Sequence, residues 1–80
     1  MEDKISFNLV KHIGVLSEGK GGWRKELNLL SWNGRAPKYD IRDWGGEREK
    51  IGKGTTLSKE EALKLAALIS AECADEPGPA

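Results

Sequence analysis

Ile5, Phe7 and Leu9 alternate with Ser6 and Asn8, and Ile13 and Val15 resume the same parity. That spacing predicts a long first strand, about residues 4–16, with one apolar face. Lys11 interrupts the alternation and predicts a bulge or an outward turn of the strand near it. Ser17 to Gly22 is a loop rich in turn residues. Trp23 to Trp32 reads as the second strand. Leu27 and Leu29 lie on one of its faces, and Arg24, Glu26, Asn28, Leu30 and Trp32 on the other. Asn33-Gly34 marks a turn that Pro37 closes. Lys38 to Trp44 forms strand three, with Tyr39 and Ile41 opposite Lys38, Asp40, Arg42 and Trp44. Gly45-Gly46 and the charged run Glu47 to Lys50 lead to a short fourth strand, Ile51 to Leu57.

Ser58 then opens a helix expected to reach about Glu72. Ser58 and Glu61 have the spacing of a capping box, in which each side chain satisfies a free backbone N–H near the other. The predicted fold is α+β: a four-stranded curved antiparallel sheet followed by one C-terminal helix. One domain spans 4–72, and the Pro-, Gly- and acid-rich stretch 73–80 is expected to be a flexible tail. Between Ala62 and Ala71 only Lys64 and Ser70 are polar. Ala62, Leu65, Ala66 and Ile69 make one stripe, while Leu63, Ala67 and Leu68 lie beyond it. A helix apolar this far round needs cover on two sides, and one sheet supplies one. Leu63, Ala67 and Leu68 are therefore expected to meet the same helix of a second subunit across a two-fold axis.

Composition points the same way. A chain of 80 residues hides only ~60% of its unfolded surface on folding and usually needs a staple. With Cys73 as the lone cysteine and His12 as the lone histidine, no internal disulfide or zinc site is expected, which leaves self-association. No cofactor or metal is expected. No apolar run nears the ~20 residues of a membrane helix, and Lys4, Asn8 and Lys11 break any signal-peptide core. The expected setting is cytoplasmic.

Formal net charge is zero, from 13 Lys and Arg against 13 Asp and Glu. The distribution matters more than the sum. Residues 1–3 carry −2 and residues 60–80 carry −4, so residues 4–59 carry +6. A basic middle can steer an anionic polymer although the whole chain is neutral. By strand parity Arg24 and Trp32 share one face of strand two, and Lys38, Arg42 and Trp44 one face of strand three. Lys25 and Arg35 border that surface, and Lys53 projects from the fourth strand. Cations neutralise phosphates, and indole faces stack on unpaired bases of any identity. Each of these residues alone also fits a core or ion-pair role, as Glu26, Asp40 and Asp43 stand nearby. Gly52-Lys53-Gly54 lacks the spacing of a phosphate-binding loop and reads as a close backbone approach or a bend.

The run Lys38-Tyr39-Asp40-Ile41-Arg42-Asp43-Trp44, followed by Gly52-Lys53-Gly54-Thr55-Thr56-Leu57-Ser58 and an acidic helix start, resembles the positive cofactor four family of transcriptional coactivators. It is most similar to the family's short bacterial members of the YdbC type. Lys11-His12-Ile13-Gly14-Val15-Leu16, Lys25-Glu26-Leu27-Asn28-Leu29 and Trp32-Asn33-Gly34 extend the likeness over about residues 4–70. The resemblance implies a helix-mediated homodimer whose basic, aromatic sheets carry single-stranded DNA. Arg42, Trp44 and Lys53 are the site residues it carries over by position. The long Ser- and Lys-rich regulatory arm of eukaryotic members has no counterpart here, so a coactivator role with the transcription machinery does not transfer directly.

The leading expectation is a non-enzymatic, sequence-tolerant binder of single-stranded DNA serving transcription, replication or repair. RNA is the close rival, because stacking and phosphate contacts do not distinguish the sugars. A protein-interaction module using the aromatic face is the other alternative. Catalysis lacks a constellation: His12 has no nucleophile beside it in the pattern, and Asp40 and Asp43 fall on opposite strand faces.

Overall fold

The computed structural model describes residues 6–74, so the predicted strand start at 4–5 and all but the first two residues of the expected tail lie outside the described residues. Strands β1 (Phe7–Glu18), β2 (Arg24–Trp32), β3 (Lys38–Gly45) and β4 (Lys50–Leu57) form one antiparallel sheet in sequential order. A short 3-10 turn, Lys20–Gly22, joins β1 to β2, and helix α1 (Lys59–Ala74) follows β4. Sequence and structure agree on the four strands and the helix, with β1 running two residues further than expected and α1 taking in Cys73 and Ala74 of the expected tail, while the expected loop holds the 3-10 turn.

The first strand departs from simple alternation. Its pairing with β2 shifts register three times, between Leu9 and Lys11, His12 and Gly14, and Val15 and Ser17. Each shift leaves one residue unpaired: Val10, Ile13 and Leu16. The bulge expected near Lys11 is the first of these. The expectation that Ile13 continues the face of Phe7 does not hold. Ile13 and Leu16 line the groove under α1, whereas Phe7 packs on Trp32 and Trp44 on the opposite face. An inserted residue resets the period-two alternation, so three insertions divide the apolar residues of β1 between both faces.

Bulges also bend and twist a strand, and this sheet curls strongly. Phe7 pairs beside Trp32, while Trp44 pairs beside Arg24, eight residues away along β2. A flat strand would separate those levels by roughly 26 Å at 3.3 Å per residue. Instead the Phe7 and Trp44 rings lie 5.1 Å apart and tilted by 50°. The ends of the β2–β3 hairpin have folded toward each other on the face away from α1. β4 follows the curve closely because Gly54 has no side chain: a Cβ there would stand 2.5 Å from Arg42 Cβ and from the Ile41 carbonyl. The Gly52-Lys53-Gly54 run therefore serves the approach of one strand to another.

Inside the curl lie Leu30 and Trp44 together with Glu26, Asn28 and Asp40, all essentially without exposure. The buried carboxylates and amide need partners and have them, whereas the buried indole N–H groups of Trp32 and Trp44 have none among the described residues. Asp40 receives Arg42 through Nε at 3.0 Å and Nη2 at 2.9 Å, and Thr56 Oγ1 donates to it at 3.0 Å. Glu26 receives Arg24 Nε and Arg48 Nε, each at 2.9 Å, and Asn28 Nδ2 at 3.0 Å. His12 Nδ1 lies 2.6 Å from Asn28 Oδ1. That oxygen can only accept, so His12 Nδ1 is the donor.

The other face carries α1. The capping box forms as the sequence predicts: Ser58 N–H donates to Glu61 Oε1 at 2.8 Å, and Glu61 N–H to Ser58 Oγ at 3.1 Å. None of the helix residues is buried. An open apolar groove of about 460 Å³ separates α1 from the sheet, with Leu27, Tyr39, Ile41 and Leu57 on its floor and Leu63 and Ile69 at its rim.

Candidate nucleic-acid interface

Trp32 ends β2 and enters a tight turn. Asn33 and Gly34 both take left-handed backbone conformations, φ 50° and 76°, and the Arg35 N–H donates to the Trp32 carbonyl at 2.9 Å. Positive φ at both central residues is the geometry for which Asn-Gly is suited. Ser6 N–H and Oγ both reach Asn33 Oδ1, at 3.1 and 3.3 Å, tying the turn to the start of β1. The half-buried indole of Trp32 is thus held at the mouth of the curl.

Two shallow depressions, of about 370 and 250 Å³, meet at Trp32 and Thr56. Asn33, Arg42 and Ile51 complete the first, while Arg35, Ala36 and Lys38 complete the second. Arg42 lies over the Trp32 ring with its guanidinium carbon 5.1 Å from the ring centroid, a cation–π contact. Its orientation is fixed from below by Asp40 and by Nη1 donating to the Gly52 carbonyl at 3.2 Å. Because Asp40 neutralises Arg42, the uncompensated charge of this patch comes from Arg35 and Lys38. Both are exposed, and neither forms an ion pair among the described residues. The indole is packed on Phe7 and covered by Arg42, and its exposed part with two accessible cations beside it suits contact with one base and its flanking phosphates.

The sequence-derived site residues do not all meet here. Trp32, Arg35, Lys38 and Arg42 do. Trp44 is a correction: its side chain is fully buried and its ring faces Phe7, so no face is free to stack on a base. Strand parity rightly put Trp44 on the face of Trp32, and the curl then turned that face inward at Trp44. Lys25 is exposed on the opposite side, paired with Asp43 in β3 and bordering a small hollow with Trp23 and Ser17. Lys53 is exposed on β4 and lines neither depression at Trp32. Arg24 stands on the correct face but is held by Glu26 and by the Gly22 carbonyl.

Sequence reasoning missed Arg48, in the loop between β3 and β4. It has φ +69° and reaches back across the curl to Glu26. Its only signal was membership of a charged run. Burial of Glu26 would raise its pKa, but hydrogen bonds from Asn28, Arg24 and Arg48, with the Arg48 charge, hold it at about 2. That carboxylate is ionised at any physiological pH.

Among the described residues no group of three or more His, Cys, Asp or Glu is placed to hold a metal ion. On the helix, Leu63, Ala67 and Leu68 are all exposed, and Leu63 borders the apolar groove.

A protein of Treponema pallidum (strain Nichols), described only as uncharacterized, is 39% identical over 75 residues, which cover 94% of this chain and 88% of its own length. The model of the family Transcriptional Coactivator p15 (PC4) matches residues 20–68, from the turn before β2 to the middle of α1, and so takes in Trp32, Arg35, Lys38, Arg42 and the Gly52–Gly54 run. On that match, across more than half its length and over the strands that build the Trp32 platform, this chain belongs to the PC4 family.

Proposed function

We propose that the protein binds single-stranded DNA with low sequence specificity, as a homodimer, in the service of transcription, replication or repair at the nucleoid. The observation that carries this reading is Trp32: a half-buried indole braced by Arg42, with Arg35 and Lys38 beside it and without an ion pair among the described residues. A π-face accepts every base, which favours sequence tolerance. Membership of the PC4 family supports single-stranded DNA as the polymer and transcription as one process served.

The second subunit enters through α1. Leu63, Leu68 and Ile69 are 63%, 60% and 52% exposed, an apolar surface that a lone domain of this size would not keep in water.

The test is anisotropy of labelled oligo-dT titrated with the protein, with unlabelled duplex and oligo-U as competitors. Trp32→Ala should weaken binding by about 1–3 kcal/mol, the worth of one stacked base. Wild-type affinity in that variant removes Trp32 from the interface. Duplex competing as well as oligo-dT defeats the single-strand assignment, and oligo-U winning tenfold moves it to RNA.

A further inference from the structure

We infer that Arg24 and Arg48, held side by side by buried Glu26, form a second contact for a nucleic-acid strand, specific for its phosphodiester group. The inference rests on strand binding at Trp32 and adds a site built from different residues.

Three observations converge on it. Glu26 takes the Nε of Arg24 on one carboxylate oxygen and the Nε of Arg48 on the other, both at 2.9 Å. Pairing through Nε leaves the terminal nitrogens of each guanidinium off the carboxylate. Arg24 Nη1 donates to the Gly22 carbonyl at 3.0 Å, whereas Arg24 Nη2 and both terminal nitrogens of Arg48 make no hydrogen bond among the described residues. Two cations against one carboxylate leave the cluster with a surplus positive charge. His12, 3.7 Å from Glu26 Oε1, adds none unless it is protonated.

Burial of the anion and partial exposure of the cations decide the direction of the cluster. Glu26 is 1% exposed, while the side chains of Arg24 and Arg48 are 26% and 28% exposed. Solvent therefore meets the arginine side chains and not the carboxylate. Arginine forks whose planes are fixed in advance match the oxygens of a phosphate in a way a mobile lysine does not. The cluster lies on the Trp32 face of the sheet, since Arg24, Glu26 and Trp32 share one parity of β2. A strand with a base on Trp32 can lay a phosphate further along its backbone across the two arginines. The backbone of Arg48 agrees with a specialised role: a non-glycine residue at φ +69° is strained, and the Glu26 bond holds it there.

Arg48→Gly is the decisive variant, because glycine accepts φ +69° without strain and the loop keeps its shape. Oligo-dT binding should be followed by anisotropy across a salt series, with circular dichroism confirming the fold. Arg48→Gly should weaken binding to oligo-dT and oligo-dC alike and make the log–log salt dependence shallower by ~0.7, one phosphate's share. Arg48→Lys, which keeps the charge and loses the fork, should fall between wild type and Arg48→Gly. Glu26→Gln separates positioning from charge. It makes the surface more positive, so simple attraction predicts tighter binding, while loss of alignment predicts weaker binding and is the result expected here. Arg48→Gly with wild-type affinity and salt slope overturns the second contact and leaves the Trp32 platform standing. Tighter binding by Glu26→Gln overturns the positioning role of Glu26. Wild-type protein that binds no oligonucleotide sinks both this contact and the Trp32 platform.

Discussion

Glu26 concentrates the electrostatics of the curl in one carboxyl group. Its pKa of about 2 lies below the ordinary 4.5, because three donors and the Arg48 charge outweigh the penalty of burial. A carboxyl bound more tightly in its ionised form when folded stabilises the fold at every pH above about 4.5. That contribution is lost as pH falls toward 2, and it amounts to roughly 3 kcal/mol, taking 1.36 kcal/mol per unit. Urea denaturation of the wild type should lose stability steeply between those limits, and Glu26→Gln should flatten the decline by about that amount while starting from a less stable protein. A profile unchanged by the substitution would place the acid sensitivity elsewhere. Residue-level function was only half legible in the sequence. Period-two alternation correctly grouped Arg24, Trp32, Arg42 and Trp44 on one face, but it cannot say which part of that face stays open. Trp32 and Trp44 have the same parity and each has cations nearby, and only the curl separates a part-exposed indole from a core residue.

At the scale of elements, the curl depends on places where a strand breaks its own rule. Val10, Ile13 and Leu16 recur every third residue, and each is the extra residue of a bulge. Their spacing was present in the sequence but reads as noise against a strand template, so only the bulge at Lys11 was legible, through its charge. Gly54 is the complementary device on β4. Gly54→Ala should destabilise the fold by about 1–3 kcal/mol, the usual cost of overpacking, because the new methyl meets Arg42 and the Ile41 carbonyl at 2.5 Å. Gly14→Ala is the control: a Cβ there meets nothing within 4 Å, and its melting temperature should match or exceed the wild type. Equal losses at the two sites would show that strand propensity, and not the approach of β4 to β3, governs Gly54. The helix start was fully legible, since a capping box is local: Ser58→Ala should cost about 1 kcal/mol through the Glu61 N–H it leaves unpaired.

At the scale of the whole molecule, the described chain falls short of what a stable domain requires. Leu30 and Trp44 are its only fully buried apolar side chains among the described residues, and the rest of the sealed interior is polar. The helix buries nothing completely, and the groove beneath it stands open on residues that water disfavours. Closing α1 onto its own sheet would cover the floor of the groove, yet Leu68 would remain outside, since it is 60% exposed and lines no part of that groove. A second copy meets both needs, as its helix can cover Leu63, Ala67 and Leu68 while receiving the same cover in return. Each leucine so buried contributes ~1.5–3 kcal/mol, enough to decide the fate of a fold this small. Sedimentation equilibrium should therefore give twice the chain mass, and the melting temperature should rise with protein concentration, as linked folding and association require. Leu68→Asp should yield a monomer that melts lower and independently of concentration. A wild type that sediments as a monomer with a concentration-independent melt would mean that α1 closes the groove alone, and the two Trp32 platforms would then act singly rather than as a pair.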